Sequence, residues 1–291
     1  MALTAIGKAD LHTHTTASDG NHSPAEVVQM AKKAGLAAIA ITDHDTTAGL
    51  SEALQEGRQI GISVVPGVEL STVADRLDIH ILAYFADHDN VRWLERLQSL
   101  GRAREGRNEM IVSKLQELGV AITMDHVLQA ASVSGDTDKR NKSVGRPHIA
   151  AALVSLGAAE NINEAFSRYL GSGAAAHVQV PRIHPLEAIE WIREAGGMSV
   201  IAHPGLYGND TLVEQLIRGG ANGIEIYHSD HGPEEARRYG KLAERYSVIG
   251  TGGSDFHGER QGGSYHGDVG SVTVDISVVR RLQAGAVRQY L

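Results

Sequence analysis

Over its first 70 residues the chain alternates short apolar runs with amphipathic stretches, the rhythm of strand–helix units. Ala9 to Leu11 begins an apolar stretch that ends in His12-Thr13-His14. Ser23-Pro24-Ala25-Glu26 reads as a helix start, with Ser at the N-cap, Pro in the first turn and Glu placed to complete a capping box. Val27, Val28, Met30, Ala31 and Ala34 form the apolar face of that helix, and Gly35 stops it. Leu36 to Ile41 is apolar throughout, as expected of a strand buried on both faces, and it ends at Thr42-Asp43-His44. A second helix follows to about Gly57. Ile62 to Val65 predicts a strand ending in Pro66-Gly67-Val68-Glu69, and Leu77 to Phe85 another that carries His80.

The middle of the chain has a different texture. Val91 to Gly119 is a long, charged helical pattern, residues 131–146 read as a loop, and Ile149 to Leu156 and Ile162 to Leu170 predict further helices. Residues 97–180 are therefore expected to form a mainly helical insertion, with 1–96 and 181–291 making up one domain. The first rhythm returns after Pro181, with a helix over Leu186 to Ala195 and strands over Met198 to Ala202, Gly223 to Ile226 and Ser247 to Thr251. These strands run into His203-Pro204, Tyr227-His228 and Gly252-Gly253-Ser254-Asp255-Phe256-His257. A His, Asp or Glu thus follows nearly every strand. In a parallel β/α barrel all those ends open on one face, whereas an open doubly wound sheet gathers functional groups only near its switch point. The expected fold is α/β, a barrel with a mainly helical inserted domain.

Composition narrows the chemistry. The chain has 15 histidines, no cysteine and a net charge of −8. Without Cys there are no disulfides, thiolate ligands or thiol nucleophiles, and a transition metal must be held by imidazole and carboxylate, which suit manganese, iron and zinc alike. The acidic balance argues against tracking along a long polyanion. It leaves room for an anionic substrate, because cations and a few arginines reverse the field of a cleft. No apolar run reaches roughly 18 residues, and the N-terminus lacks a basic segment followed by a long apolar one, so no membrane span or signal peptide is expected and the location is taken as cytoplasmic.

Taken singly, each candidate residue has an ordinary explanation. Asp19 in Ser18-Asp19-Gly20 also suits a turn, Asp45 beside His44 is either an orienting carboxylate or a helix cap, and His80 between Ile79 and Ile81 also suits a core histidine. His12 and His14 alternate, so both imidazoles can share one face of an extended segment. Glu69 follows a buried strand, where an unpaired carboxylate is costly. Their joint placement at one barrel mouth points to a cluster of divalent cations.

Asp10-Leu11-His12-Thr13-His14 with Ser18-Asp19-Gly20, Thr42-Asp43-His44-Asp45, Gly67-Val68-Glu69, His80, His203-Pro204 and Gly253-Ser254-Asp255-Phe256-His257 together resemble the polymerase and histidinol phosphatase (PHP) family of metallo-phosphoesterases. The resemblance implies a distorted (β/α)7-type barrel and three divalent ions, manganese foremost, with iron or zinc as alternatives. His12, His14, Glu69 and Asp255 would hold one ion, Glu69, His80 and His203 a second with Glu69 bridging, and Asp19, His44 and His257 the third. No ligand position is missing, unlike in degraded PHP modules of some polymerases. Cations roughly 3.5–4 Å apart neutralise phosphoryl oxygens and acidify a bridging water. The expected reaction is in-line attack by the resulting hydroxide, with Asp255 orienting it and with cation-bound water or His228 protonating the leaving group.

The insertion bears on the substrate. Between residues 101 and 146 basic residues outnumber acidic ones eight to six, in an otherwise acidic chain. Arg104 and Arg107 are three apart on one helix face, and Gly145-Arg146-Pro147-His148-Ile149 opens a helix whose N-terminus suits an anion. These segments, with Tyr169-Leu170-Gly171, His203-Pro204-Gly205 and Glu225-Ile226-Tyr227-His228-Ser229-Asp230-His231, resemble the PHP subgroup that acts on nucleoside 3′,5′-bisphosphates, some relatives of which trim short 5′-phosphorylated RNA. The implied activity removes the 3′-phosphate and leaves the 5′-monophosphate, with Arg104, Arg107, Arg146, His148 and His177 as candidates to grip the 5′-phosphate. Asp136 to Lys142 departs from that pattern and leaves the role of Lys142 open. The expected partner is a small nucleotide or a short RNA end, with no membrane and no obligate protein. The alternatives are a 5′→3′ exoribonuclease, a phosphatase for another small ester such as histidinol phosphate, a non-catalytic metal-stabilised module, and an amide-hydrolysing metalloenzyme.

Overall fold

The computed structural model describes residues 6–131, 144–171, 173–260, 263–264 and 266–287; most of the loop expected at 131–146, with Lys142, lies outside the described residues. The first helix signal is realised in full. Ser23 Oγ accepts from the Glu26 amide (3.3 Å), Glu26 Oε2 accepts from the Ser23 amide (2.7 Å), and α1 (Pro24–Lys33) gives way to Gly35 at φ +74°. Strands β1 (Lys8–Asp10), β2 (Ala38–Ile41) and β3 (Ser63–Ala74) alternate with α1 and α2 (Leu50–Ile60), and β4 (Leu77–Tyr84) follows β3 directly. After the helical middle come α7 (Pro185–Glu194), β5 (Met198–Ile201), α8 (Asp210–Arg218), β6 (Gly223–His228), α9 (Pro233–Tyr246) and β7 (Ile249–Gly253). A two-strand ribbon, β8 (Glu259–Arg260) and β9 (Gly263–Ser264), leads to β10 (Val274–Asp275) and α10 (Ile276–Gly285).

The main sheet has the order β10-β1-β2-β3-β4-β5-β6-β7, and it closes where β1 meets β7. The Leu11 amide donates to the Gly252 carbonyl (3.2 Å), and Thr13 and Phe256 form a parallel bridge just beyond. Strand alternation sorts the side chains. Ala38 and Ala40 join Leu11, Val65, Tyr84 and Val200 in an inner cluster capped by Val279 and Leu282 of α10, while Ile39 and Ile41 pack outward on α1 and α2. Tyr84 reaches across this interior to donate to the Leu11 carbonyl (2.7 Å).

The barrel departs from the expected all-parallel plan in two strands, the short edge strand β10, antiparallel to β1, and β4. β4 runs antiparallel to both neighbours, β3 and β5. Asp75 and Arg76 make the two-residue β3–β4 turn with φ +51° and +64°, the both-positive geometry that matches strand twist but without a glycine to announce it. β3 therefore continues past the rim, so Glu69 lies within a strand rather than beyond its end, while His80 lies within β4 as expected.

The middle segment contains α3 (Val91–Glu117), α4 (Met124–Ala131), α5 (Arg146–Ser155) and α6 (Ile162–Ala165), which widens into a π-helical turn over Phe166–Leu170. α3 is one unbroken helix serving two cores. Trp93, Leu97 and Leu100 pack on the outside of the barrel, and Ile111, Val112 and Leu115 pack with Ile149, Leu153 and Leu170.

Gly253 makes the closest backbone approach at the barrel seam. A Cβ there would stand 2.4 Å from both the backbone nitrogen and the Cβ of His12. Gly253→Ala is expected to push β1 and β7 apart, at a cost of about 1–3 kcal/mol, and to displace His12. Thermal denaturation should show a lower midpoint and metal analysis a lower ion content; a variant unchanged in both would contradict this seam.

Candidate metal centre

The loops that carry the candidate ligands hold three non-glycine residues with positive φ: Asp45 (φ +56°), His203 (φ +26°) and Asp255 (φ +54°). Such backbone persists only where surrounding bonds over-determine it, and here they do. The Asp255 amide donates to the His12 carbonyl (2.8 Å), the His203 amide to Glu225 Oε2 (2.8 Å), and the Asp45 amide to the Glu69 carbonyl (3.0 Å). Beyond His203 the turn is held by His231, whose Nε2 accepts from the Gly205 amide while Nδ1–H donates to the Ile226 carbonyl, each at 3.0 Å.

All nine expected metal ligands converge. His12, His14, Glu69 and Asp255 present ligand atoms within 4.8 Å of one another, as do His14, Asp19, His44 and His257 in one group and His44, Glu69 and His80 in another. His80 Nδ1 and His203 Nε2 both approach Glu69 Oε1, at 2.8 and 3.0 Å. Several of these atoms meet one another at ion-pair distance without forming a hydrogen bond. Nε2 of His12 and His14, Nδ1 of His44 and His203, and Oδ1 of Asp255 are buried without a hydrogen bond, an expensive state for polar atoms in the absence of a further ligand. The residues fit a cluster of divalent cations.

Partners behind the ligands fix which nitrogen faces inward. His12 Nδ1 lies 3.1 Å from Glu225 Oε1, and His257 Nδ1 lies 2.8 Å from the Asp255 carbonyl, so in each ring Nε2 is left to face the cluster. Glu225 was quoted within a motif but given no role; a carboxylate in the apolar strand Gly223-Ile224-Glu225-Ile226 was the available signal. Asp43 and Asp10 were likewise overlooked. Asp43 accepts from Thr15 and Ser18, and Asp10 accepts from Ser254 and Gly270, tying the ligand loops together.

The electrostatics are those of an anionic site sharing protons. Burial opposes ionisation of Glu69, Asp19 and Asp255, yet the imidazoles around them hold all three carboxyls well below their usual range. Burial likewise opposes protonation of His12 and His14, but the same carboxylates raise both, His14 to about 10. Burial lowers His203 to about 4. Cations entering this site displace protons from imidazole.

The candidate substrate residues divide. Arg104, Arg107, Arg146 and His177 line a cavity of about 310 Å³ that opens onto the metal ligands. Arg104 is engaged there, with Nη2 2.8 Å from Asp45 Oδ2; Asp45, which had suited a helix cap, serves this pair instead. His148 does not line the cavity, because Nδ1 accepts from the Gly145 amide (3.1 Å) at the start of α5. His228, a candidate proton donor, is fully buried behind Asp255. Its Nδ1 accepts from the Asp230 amide, which leaves the proton on Nε2, 3.3 Å from Asp255 Oδ2. In this position it orients Asp255, and it does not line the cavity. Arg182, Asp78 and His266 also line the cavity and were missed, because single charged residues in unremarkable surroundings carry no local signal.

Two outcomes follow from this shell. Glu225→Gln removes the carboxylate that orients His12, and should weaken metal binding or activity by about 10- to 100-fold. Ion binding should tighten as pH rises and release protons, detectable by calorimetry in two buffers of different ionisation enthalpy; pH-independent binding would mean that these imidazoles are not the ligands.

Comparison with known proteins agrees with this geometry. Residues 10–169 match the model of the PHP domain family. The chain is 36% identical to a 5′-3′ exoribonuclease of Haemophilus influenzae over 86% of its length and 90% of the relative. It is 33% identical to a 3′,5′-nucleoside bisphosphate phosphatase of Chromobacterium violaceum, over 89% of its length and 90% of that protein. Among solved structures, a protein of Bifidobacterium adolescentis assigned as a metal-dependent phosphoesterase superposes with a TM-score of 0.87 at 31% identity, covering 99% of both chains. The chain belongs to the PHP domain family and is a metal-dependent phosphoesterase of that family.

Proposed function

We propose that this enzyme removes the 3′-phosphate of nucleoside 3′,5′-bisphosphates and releases the 5′-monophosphate. The observation that carries the reading is Arg107. The residue is 4% exposed, forms no ion pair among the described residues, and has Nε buried without a hydrogen bond. Burial, then Arg182, Arg146 and Arg104, all disfavour its charge. A guanidinium does not give up its proton in proteins, so this wall of the cavity calls for an anion. Arg146 and Arg182 stand beside it, sharing Asp78 at 2.8 and 3.5 Å. Arg182 Nη2 is also buried without a partner. A substrate with two phosphates suits a cavity with metal ligands at one end and unbalanced arginines at the other.

In this reading the barrel segments 1–96 and 181–291 carry the chemistry and 97–180 carries the grip. The ligands would be His12, His14, Glu69 and Asp255 for one ion, Glu69, His80 and His203 for a second, and Asp19, His44 and His257 for a third, with manganese the first ion to test. Divalent cations held there supply charge neutralisation of the phosphoryl group and acidify bound water. Asp255, set by the Nε2–H of His228, would orient the attacking water toward the scissile bond. Arg107, Arg146 and Arg182 fix the remote 5′-phosphate, and with it the orientation of the 3′-phosphate. The Haemophilus relative is named for RNA trimming, and a 5′-phosphorylated RNA end presents the same terminal group.

The decisive measurement is the preference for adenosine 3′,5′-bisphosphate over adenosine 3′-monophosphate, with short 5′-phosphorylated RNAs alongside. The wild type should favour the bisphosphate. Arg107→Ala should cut that preference about 10- to 100-fold, the worth of a charge-assisted hydrogen bond of about 1.5–3 kcal/mol, while turnover of the 3′-monophosphate stays nearly constant. A wild-type preference near one would remove the bisphosphate reading, and a strong preference for RNA would replace it with exonuclease action.

A further inference from the structure

We infer that Arg104 is a positioning residue for the metal centre rather than a contact for the remote phosphate, an inference that rests on the reading of the cavity proposed above. Arg104 and Arg107 sit one turn apart on α3, and both are buried, yet their surroundings differ. Arg104 Nε and Nη2 both donate to Asp45 Oδ2, at 3.1 and 2.8 Å, and Nη2 also reaches Ser71 Oγ at 2.5 Å. Asp45 Oδ1 accepts from the Ser71 amide at 2.8 Å. The guanidinium thus braces two strands at once. Asp45 directly follows His44 at the end of β2, and Ser71 lies on β3 two residues beyond Glu69 and opposite His80 of β4. Two ligand-bearing segments are tied to one side chain from the insertion, and β4 with His80 is laddered to the second of them.

The brace also accounts for the backbone at Asp45. Its left-handed conformation turns the chain so that His44 Nδ1 meets Glu69 Oε2 at 3.1 Å while its own carboxylate points away toward α3. A phosphate could recruit Arg104 only by competing with Asp45, which is itself buried and would lose its counter-charge. Arg107 has no such commitment. Adjacent turns of one helix therefore serve different ends of the cavity, Arg104 the ligands and Arg107 the anion.

Charge alone makes the opposite prediction from positioning, which gives a clean test. Removing a cation near the site should strengthen metal binding by simple electrostatics. Removing a brace that holds His44 should weaken it. Arg104→Met and Arg104→Lys are to be compared with wild type in three measurements: ions retained after dialysis against limiting Mn²⁺, Mn²⁺ needed for half-maximal hydrolysis of adenosine 3′-monophosphate, and preference for the bisphosphate. Arg104→Met is expected to retain fewer ions and to need at least about tenfold more Mn²⁺, the scale on which residues behind metal ligands act. Arg104→Lys, which keeps one bond to Asp45, should fall between the two and supplies the answer if the Met variant does not fold. The bisphosphate preference should stay within about twofold of wild type. Unchanged or tighter metal binding would overturn the inference, and so would a loss of preference matching that of Arg107→Ala. A wild-type preference near one would defeat the bisphosphate reading while leaving the metal measurements to decide Arg104.

Discussion

One buried carboxylate concentrates the demands of this structure. Glu69 lies between 2.8 and 3.3 Å from nitrogens of five histidines: 12, 14, 44, 80 and 203. A charge at such depth is tolerated only when its surroundings answer it, and the answer comes from four strands of the barrel. The extension of β3 past the rim and the reversed course of β4 are what bring Glu69 and His80 inward together. The seam at Gly253 and the positive-φ residues in three ligand-bearing loops bring the remaining rings to meet them. The inner cluster of small and medium apolar residues, closed by α10, gives this charged layer a rigid floor.

Much of this was legible in the chain. The capping box at Ser23, the apolar runs of β1, β2 and β5, and the pattern of His, Asp and Glu after strands are local signals, and local periodicity reports them faithfully. The direction of β4 was not legible, because an antiparallel partner is chosen by a turn, and Asp75-Arg76 adopts hairpin geometry with neither Asn-Gly nor Asp-Gly to mark it. The candidate metal ligands stand out in the sequence because a shared chemistry makes scattered residues recognisable as a set. Their supporting residues were harder. Glu225, Asp43 and Asp10 are single carboxylates whose partners lie up to 260 residues away in sequence. Spacing on α3 placed Arg104 and Arg107 on one face, but could not say that one pairs with an aspartate and the other, among the described residues, forms no ion pair. Sequence states what a side chain can do, and only packing decides which of its options remain open.

The reversed strand has one further consequence. Asp78, which anchors Arg146 and Arg182, and His80, which faces Glu69, stand two residues apart on β4, on the same face of a strand laddered to β3 on one side and to β5 on the other. Two residues of strand span about 6.6–6.8 Å, so the spacing between the backbone position that anchors Arg146 and Arg182 and the one that faces Glu69 is set by covalent geometry. β4 thus acts as a ruler on the barrel side of the cavity, with Arg107 and Arg146 of the helical segment facing it.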